Sequence, residues 1–196
     1  MSNWILIRIT ALAATALLVP AGAVLAGPAT VSGTLGADTL VGTDGPDRIV
    51  GLAGNDEIHA KKGGDRVRAG HGADTVFAGR GADRVFGNGG DDVLRGGPGR
   101  DRLLAQAGVD ALHGGLGNDD LWAQARPDVK GQAGEPSDTL NGGPGNDKFH
   151  VRDGEADQVT CGPGFDRVLA DHVDVTAADC ERVRRAAPHP RADDRG

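Results

Sequence analysis

The residues best placed to do chemistry in this chain are aspartates. Ten of them, Asp38, Asp47, Asp56, Asp65, Asp74, Asp83, Asp92, Asp101, Asp110 and Asp119, recur at intervals of nine residues. Ionised carboxylates are hard oxygen donors. Such donors suit calcium, which accepts about six to eight oxygen ligands in flexible geometry. Each aspartate is framed in the same way. A glycine stands two residues before it, from Gly36 to Gly117, and an aliphatic stands two residues after it: Leu40, Ile49, Ile58, Val67, Val76, Val85, Leu94, Leu103, Leu112 and Leu121. A glycine turn, a carboxylate and a buried aliphatic at constant offsets describe a repeated structural unit rather than a single site. Together they point to a calcium-filled β-solenoid.

The elements that position these acids must be unusual, because the composition does not suit an ordinary packed globule. The 196 residues suit one domain, but 33 are glycine and only 3% are aromatic, too few large side chains to fill a conventional interior. The glycines lack the strict every-third-residue period of collagen. The same composition also reads as disorder, and both readings hold if the chain orders only when metal is present.

Residues 1–26 have a different character. Arg8 precedes the apolar run ITALAATALLVPAGAVLA, which ends in small residues with Val24 and Ala26 placed for signal peptidase. This reads as a secretory signal peptide. An uncleaved membrane anchor is the alternative, since Ile9 to Ala26 is just long enough to span, although Pro20 and Gly22 weaken a spanning helix. Cleavage removes one base and no acid, leaving 20 basic against 28 acidic residues and a net charge of −8. The expected location is therefore secreted or extracellular, where calcium is abundant and disulfides persist. Cys161 and Cys180 lie outside the repeats and most simply pair with each other. Closing so short a loop stabilises by roughly 3 kcal/mol. A two-cysteine metal site is the other reading, with no nearby histidine–cysteine pattern to support it.

Along the chain, ten uninterrupted nonads fill residues 33–122. The segment AQARPDVKGQAGEP, residues 123–136, breaks the period and reads as an inserted loop. The period resumes at Asp138 and Asp147, slips by one residue to Asp157, and returns nine later at Asp166, so residues 137–169 form degenerate repeats. Residues 170–183 read as a cap in which TAADCERV forms a short capped helix or a turn. Residues 184–196 read as a disordered tail.

The nonads GGLGNDDLW (Gly114–Trp122) and GGPGRDRLL (Gly96–Leu104) resemble the RTX, or hemolysin-type, calcium-binding nonapeptide GGxGxDxUx, in which U is a large aliphatic. The resemblance is strong over residues 33–122 and partial over 137–169. It implies an all-β, right-handed parallel β-roll in which six residues of each nonad form a turn and three form a short strand, closed at its C-terminal end by the disulfide. Two nonads then make one coil, and aspartates eighteen apart stack about 4.8 Å from each other, the spacing of neighbouring strands. Eight slots follow from the ten nonads: 38/56, 47/65, 56/74, 65/83, 74/92, 83/101, 92/110 and 101/119. The expected cofactor is thus calcium, up to about eight ions in this block, with Asp138 and Asp147 as further ligands. Turn carbonyls would supply most of the remaining ligands. One buried aliphatic per nonad offsets little of the entropy cost of ordering nine residues, so binding and folding should be coupled. Extracellular calcium modules bind at roughly 10⁻⁴–10⁻³ M, which places folding after export.

Departures from the motif are expected to lower affinity locally. The first glycine is replaced at Ala60, Ala69, Ala78 and Ala105, and the second at Thr34, Thr43, Lys61 and Gln106. Alternate nonads share a face, so the residues following the aspartates place Arg48, Arg66, Arg84 and Arg102 in one file, ended by Asp120. This file either meets an anionic cell-envelope polymer or glycan, or is a solubilising edge whose arginines pair with nearby acids.

Enzymatic chemistry is not expected. None of Ser2, Ser32 and Ser137 sits in a G-x-S-x-G elbow, no H-E-x-x-H motif occurs, and His59 and His113 would lie three coils apart. Nucleic-acid binding lacks the aromatic interleaving it needs. Two readings remain for a chain expected to be monomeric. One is an exported calcium-binding structural or surface-associated module. The other is a calcium-dependent adhesin or ligand-binding protein using the arginine face.

Overall fold

A computed structural model describes residues 5–8, 27–123 and 137–186. The chain winds as a parallel β-solenoid, and no helix occurs among the described residues. From Ala29–Ser32 onward, successive strands alternate between two sheets. The first sheet has ten strands, Ile5–Arg8, Ala29–Ser32, Arg48–Ala53, Arg66–His71, Arg84–Gly89, Arg102–Ala107, Asp120–Trp122, Lys148–Val151, Arg167–Ala170 and Arg182–Arg185. The second has eight, Thr39–Val41, Glu57–His59, Thr75–Phe77, Val93–Pro98, Ala111–Leu116, Thr139–Asn141, Gln158–Thr160 and Val175–Thr176.

The register follows the repeat. Ile49 lies opposite Val67, Val67 opposite Val85, and Val85 opposite Leu103, each one coil of eighteen residues further on. The aliphatic of every nonad points inward because strand side chains alternate between faces. Its two neighbours point out. These aliphatics form two stacked columns, Val31 to Val168 in the first sheet and Leu40 to Val159 in the second, all buried. The first residue of the nonad also faces the interior, where Ala60, Ala69, Ala78 and Ala105 are buried.

Several first-sheet strands are longer than the three residues expected. Pairing skips Gly51 and resumes in the same register, joining Leu52 with Gly70 and Ala53 with His71, so much of the turn is itself paired with the next coil. The insertion does not interrupt the stack. Leu112 pairs with Leu140 and Leu121 with Phe149 across it, at a separation of 28 rather than 18. Residues 124–136 of the inserted loop lie outside the described residues.

At the C-terminal end, Cys161 and Cys180 form a disulfide with a Cα–Cα distance of 5.2 Å. TAADCERV takes the turn rather than the helix, with Cys180 N–H donating to Ala177 O at 3.3 Å. The last strand, Arg182–Arg185, extends into the segment read as tail, because Arg184 and Arg185 still find partners in Leu169 and Ala170. Residues 187–196 lie outside the description. At the other end, Ile5–Arg8 pairs with Ala29–Ser32, while the apolar run at 9–26 is outside it.

Candidate metal centre

The two sheets meet at two edges, and the aspartates occupy the turns along both. On the edge where each coil leaves the first sheet stand Asp38, Asp56, Asp74, Asp92, Asp110, Asp138, Asp157 and Asp174. On the opposite edge stand Asp47, Asp65, Asp83, Asp101, Asp119, Asp147 and Asp166, followed by Glu181. One hydrogen bond builds both ladders. The backbone N–H of each aspartate donates to Oδ1 of the aspartate in the next coil, at 2.7–2.9 Å for all eight pairs separated by eighteen residues. The same bond crosses the insertion from Asp110 to Asp138 and from Asp119 to Asp147, both at 2.8 Å.

The second carboxylate oxygen is the chemically significant one. Oδ2 of Asp56, Asp65, Asp74, Asp83, Asp92, Asp101, Asp110, Asp119, Asp147, Asp157 and Asp166 is buried without a hydrogen-bond partner. A buried charge without a partner is expensive, and eleven in two files call for a common counter-charge. The backbone leaves room for one. A Cβ placed on Gly96 would lie 2.5 Å from Asp101 Oδ2 and 2.6 Å from Gly114 O, and one on Gly114 would lie 2.6 Å from Asp119 Oδ2 and 2.7 Å from Gly142 O. Missing side chains thus leave cradles in which a carboxylate oxygen and a carbonyl of the next coil converge. Oxygens alone, part charged and part carbonyl, are the donor set of a calcium site. The residues present fit that ion.

The electrostatics agree. Burial pushes Asp56 up to about 6, Asp101 to about 7 and Asp92 to about 8; the N–H bonds from the preceding aspartates oppose the shift, and neighbouring carboxylates add to it. Asp157 is raised to about 9 by burial and then by the charges of Asp153, Asp138 and Asp174.

The ends of the ladders differ from their middles. Thr34 Oγ1 donates to Asp38 Oδ2 at 2.9 Å, and Thr43 donates to Asp47 through its N–H, at 2.6 Å, and its hydroxyl, at 2.9 Å. These two aspartates are therefore satisfied by threonine. At the far ends Asp174 accepts from Asp157 N–H at 3.2 Å and Asp171 N–H at 2.7 Å, while Glu181 accepts from Asp166 N–H at 2.8 Å. Sequence reasoning did not place Asp157, Asp166, Asp174 or Glu181 in the ladders. The slipped period signalled the first two, but the last two carry no nonad signature. It also missed Leu52 and Asn88 among the second-position departures; with Lys61 and Gln106 they adopt positive φ of 81–89°, as Gly70, Gly79, Gly97 and Gly115 do at the same position of other nonads.

The arginine file exists as expected: Arg48, Arg66, Arg84 and Arg102 are cross-strand neighbours, and Arg102 meets Asp120 at 2.9 Å. Beyond Asp120 the file continues through Lys148, Arg167 and Arg182. Asp120 is opposed by burial but held down at about 2 by His150, Arg102 and Trp122. Beside the file, Arg66 and Arg68 lie 5.7 and 5.9 Å from the Phe86 ring centre. A cavity of about 350 Å³ is lined by Arg84, Arg100, Arg102 and Asp120 among others. His59 stacks on Phe77 at 4.8 Å, and His113 stands three coils further along the same file, beyond Phe77 and Arg95.

The family model described as RTX calcium-binding nonapeptide repeat (4 copies) matches residues 32–67, 51–85, 61–94, 86–121 and 132–155, together more than half of the chain. A search of curated proteins finds no match.

Proposed function

Because the chain belongs to the RTX calcium-binding nonapeptide repeat family, we propose that it is an exported calcium-binding β-roll that folds as it takes up calcium and serves as a structural or surface-associated module. The observation that carries this reading is the two files of buried Oδ2 atoms with no donor. Without a cation the coils would press uncompensated carboxylates together; with calcium the same oxygens become ligands. The aspartates of the ten nonads, joined by Asp138 and Asp147, would hold the ions, with turn carbonyls completing the shell. No catalytic role is included, since the acids form two uniform ladders rather than one distinguished pair. Export is supported by the apolar segment after Arg8 and by the disulfide, which persists in oxidising compartments. Calcium titration of the chain, followed by circular dichroism, tests the proposal. The expected result is a largely unfolded chain in EDTA that becomes β-structured at about 10⁻⁴–10⁻³ M calcium; a chain already β-rich in EDTA overturns it.

The resumption of the cationic file beyond Asp120, through Lys148, Arg167 and Arg182, favours a second reading. Here the first sheet presents cations, with Phe86 beside them, to an anionic envelope polymer or glycan in a calcium-dependent manner. Reversing Arg48, Arg66, Arg84 and Arg102 to glutamate should abolish calcium-dependent retention on envelope fractions. Unchanged retention removes this reading and leaves the structural one.

A further inference from the structure

The arginine file gains a third dimension at one coil. Arg84 and Arg102 stand opposite each other in register, about 4.8 Å apart as neighbouring strands are, and like charges placed so repel. Along the edge that leads into these strands, each ladder aspartate is preceded by one turn residue. Where neighbouring coils carry Pro46, Gly64, Ala82 or Asn118 at that place, this coil carries Arg100. One coil before Arg100 stands only the small Ala82. Arg84, Arg100 and Arg102 thereby line the cavity of about 350 Å³, together with Ala82 and three acids.

The three acids are already engaged. Asp83 and Asp101 are buried members of the ladder, and their Oδ1 atoms take the register bonds from Asp65 and Asp83 N–H. Under the calcium reading the ion meets their charge. Asp120 belongs to Arg102, whose Nε and Nη2 donate to its Oδ2 at 3.2 and 2.9 Å, while its Oδ1 takes Trp122 Nε1–H at 2.8 Å. Neither Arg84 nor Arg100 has an ion pair among the described residues. Two guanidiniums therefore border one cavity with no anion of their own.

We propose that Arg84, Arg100 and Arg102 form an anion site that receives one phosphate or sulfate ester group. The inference rests on the second reading above for the carrier, an envelope polymer or glycan, and names the group by which that carrier is held. A carboxylate offers two oxygens in one plane, which a single guanidinium fork satisfies. Here two unpaired guanidiniums and the remaining Nη1 of Arg102 are supplied by two adjacent coils. A tetrahedral group, with oxygens in more than one plane, meets all of them at once. The three arginines are exposed, so an ester on a long polymer reaches the cavity from solvent.

Isothermal titration of the full chain with inorganic sulfate, in saturating calcium, tests the site. One sulfate should bind, and the pair Arg84→Gln and Arg100→Gln should weaken it at least about tenfold. The pair Lys61→Gln and Arg95→Gln removes the same charge elsewhere, two coils before Arg100 and on the second sheet. At about 0.1 M ionic strength, where distant charges are screened, it should change the affinity less than about twofold. Equal weakening by both pairs would mean a diffuse field and overturns the site. Dimethyl phosphate, methyl sulfate and acetate, all monoanions, are then compared as competitors. Preference for the first marks a phosphodiester and for the second a sulfate ester; acetate competing as well as either overturns the tetrahedral assignment. Retention on envelope fractions by a chain that binds no sulfate overturns the site and leaves the second reading. Sulfate binding without retention supports the site and overturns that reading.

Discussion

The stacking of coils sets a steric limit that two glycines test in opposite directions. A Cβ on Gly99 would overlap Gly81 O in the preceding coil, and backbone cannot step aside as a side chain can. To admit it, the coils must part. Gly99 N–H to Leu116 O at 2.7 Å, Gly81 N–H to Pro98 O at 3.0 Å and Asp83 N–H to Asp101 Oδ1 at 2.9 Å all lie within the strained region. Losing these three bonds costs roughly 1 kcal/mol net each, and overpacking adds about 1–3 kcal/mol. Gly99→Ala should therefore destabilise the calcium-loaded fold by about 4–6 kcal/mol. At roughly 2–4 °C per kcal/mol for a chain of this size, the melting midpoint falls by about 10–20 °C. Gly64→Ala is the matched control. Gly64 is exposed, and a Cβ there meets only Ala82 O at an ordinary 3.5 Å. Restricting the unfolded chain should then make this variant neutral or up to about 1 kcal/mol more stable. The assay is thermal denaturation by circular dichroism in saturating calcium. Midpoints within about 2 °C of each other would refute the reasoning, because the Gly99–Gly81 contact would then not set the coil spacing.

Leu52, largely exposed at φ +89°, should be improved by glycine: relief of about 1–2 kcal/mol of left-handed strain exceeds the roughly 0.5–1 kcal/mol entropy cost of glycine, so Leu52→Gly should raise the same midpoint by a few degrees. Gln106→Gly should gain less, since it also loses the 3.2 Å bond to Asn88 Oδ1; equal gains would contradict the structure. Acid should partly replace calcium, because carboxyls raised to about 6–8 (Asp56, Asp101, Asp92) bind more protons folded than unfolded. Their contribution is thus fully present below the unfolded value near 4 and is lost as pH rises through 6 to 8. A calcium-stripped chain should gain β signal between pH 8 and pH 4.5, and calcium affinity should fall over the same interval as protons compete; loss of structure on acidification would be the opposite sign. In Asp101→Asn the amide can donate to Gly114 O where Oδ2 stood, so fewer ions should bind by titration calorimetry while the calcium-free β signal rises.

Much of this was legible because the repeat writes its geometry directly. The spacing of the ten aspartates anticipates all eight of the hydrogen-bonded pairs eighteen residues apart, and the aliphatics two residues on are the two core columns. Two kinds of feature escaped. The use of Oδ1 as a register bond is a consequence of three-dimensional stacking, and no residue type announces it. The disulfide-closed end was read from the cysteines, but the closing of the ladders there was not: Asp174 and Glu181 stand seventeen and fifteen residues after their donors Asp157 and Asp166, where shortened turns have erased the period. Lys148 and Arg167 were within reach, since each follows a ladder aspartate, as the four arginines do.

The two oxygens of each carboxylate perform different tasks, which explains why every nonad carries aspartate. Oδ1 takes the N–H from the previous coil, and asparagine would serve equally well for that. Oδ2 lies beside a carbonyl of the next coil, and there an amide would satisfy both acceptors at once. Retaining an acid leaves acceptor against acceptor in a buried place, a standing penalty that only a proton or a cation relieves. The penalty is relieved at the first coil, where Thr34 and Thr43 supply donors, and persists as far as Asp157 and Asp166, whose own N–H groups are taken up by Asp174 and Glu181. A solenoid built for stability alone would have no use for that arrangement. One that takes up calcium, as proposed, would use those unpartnered oxygens as ligands.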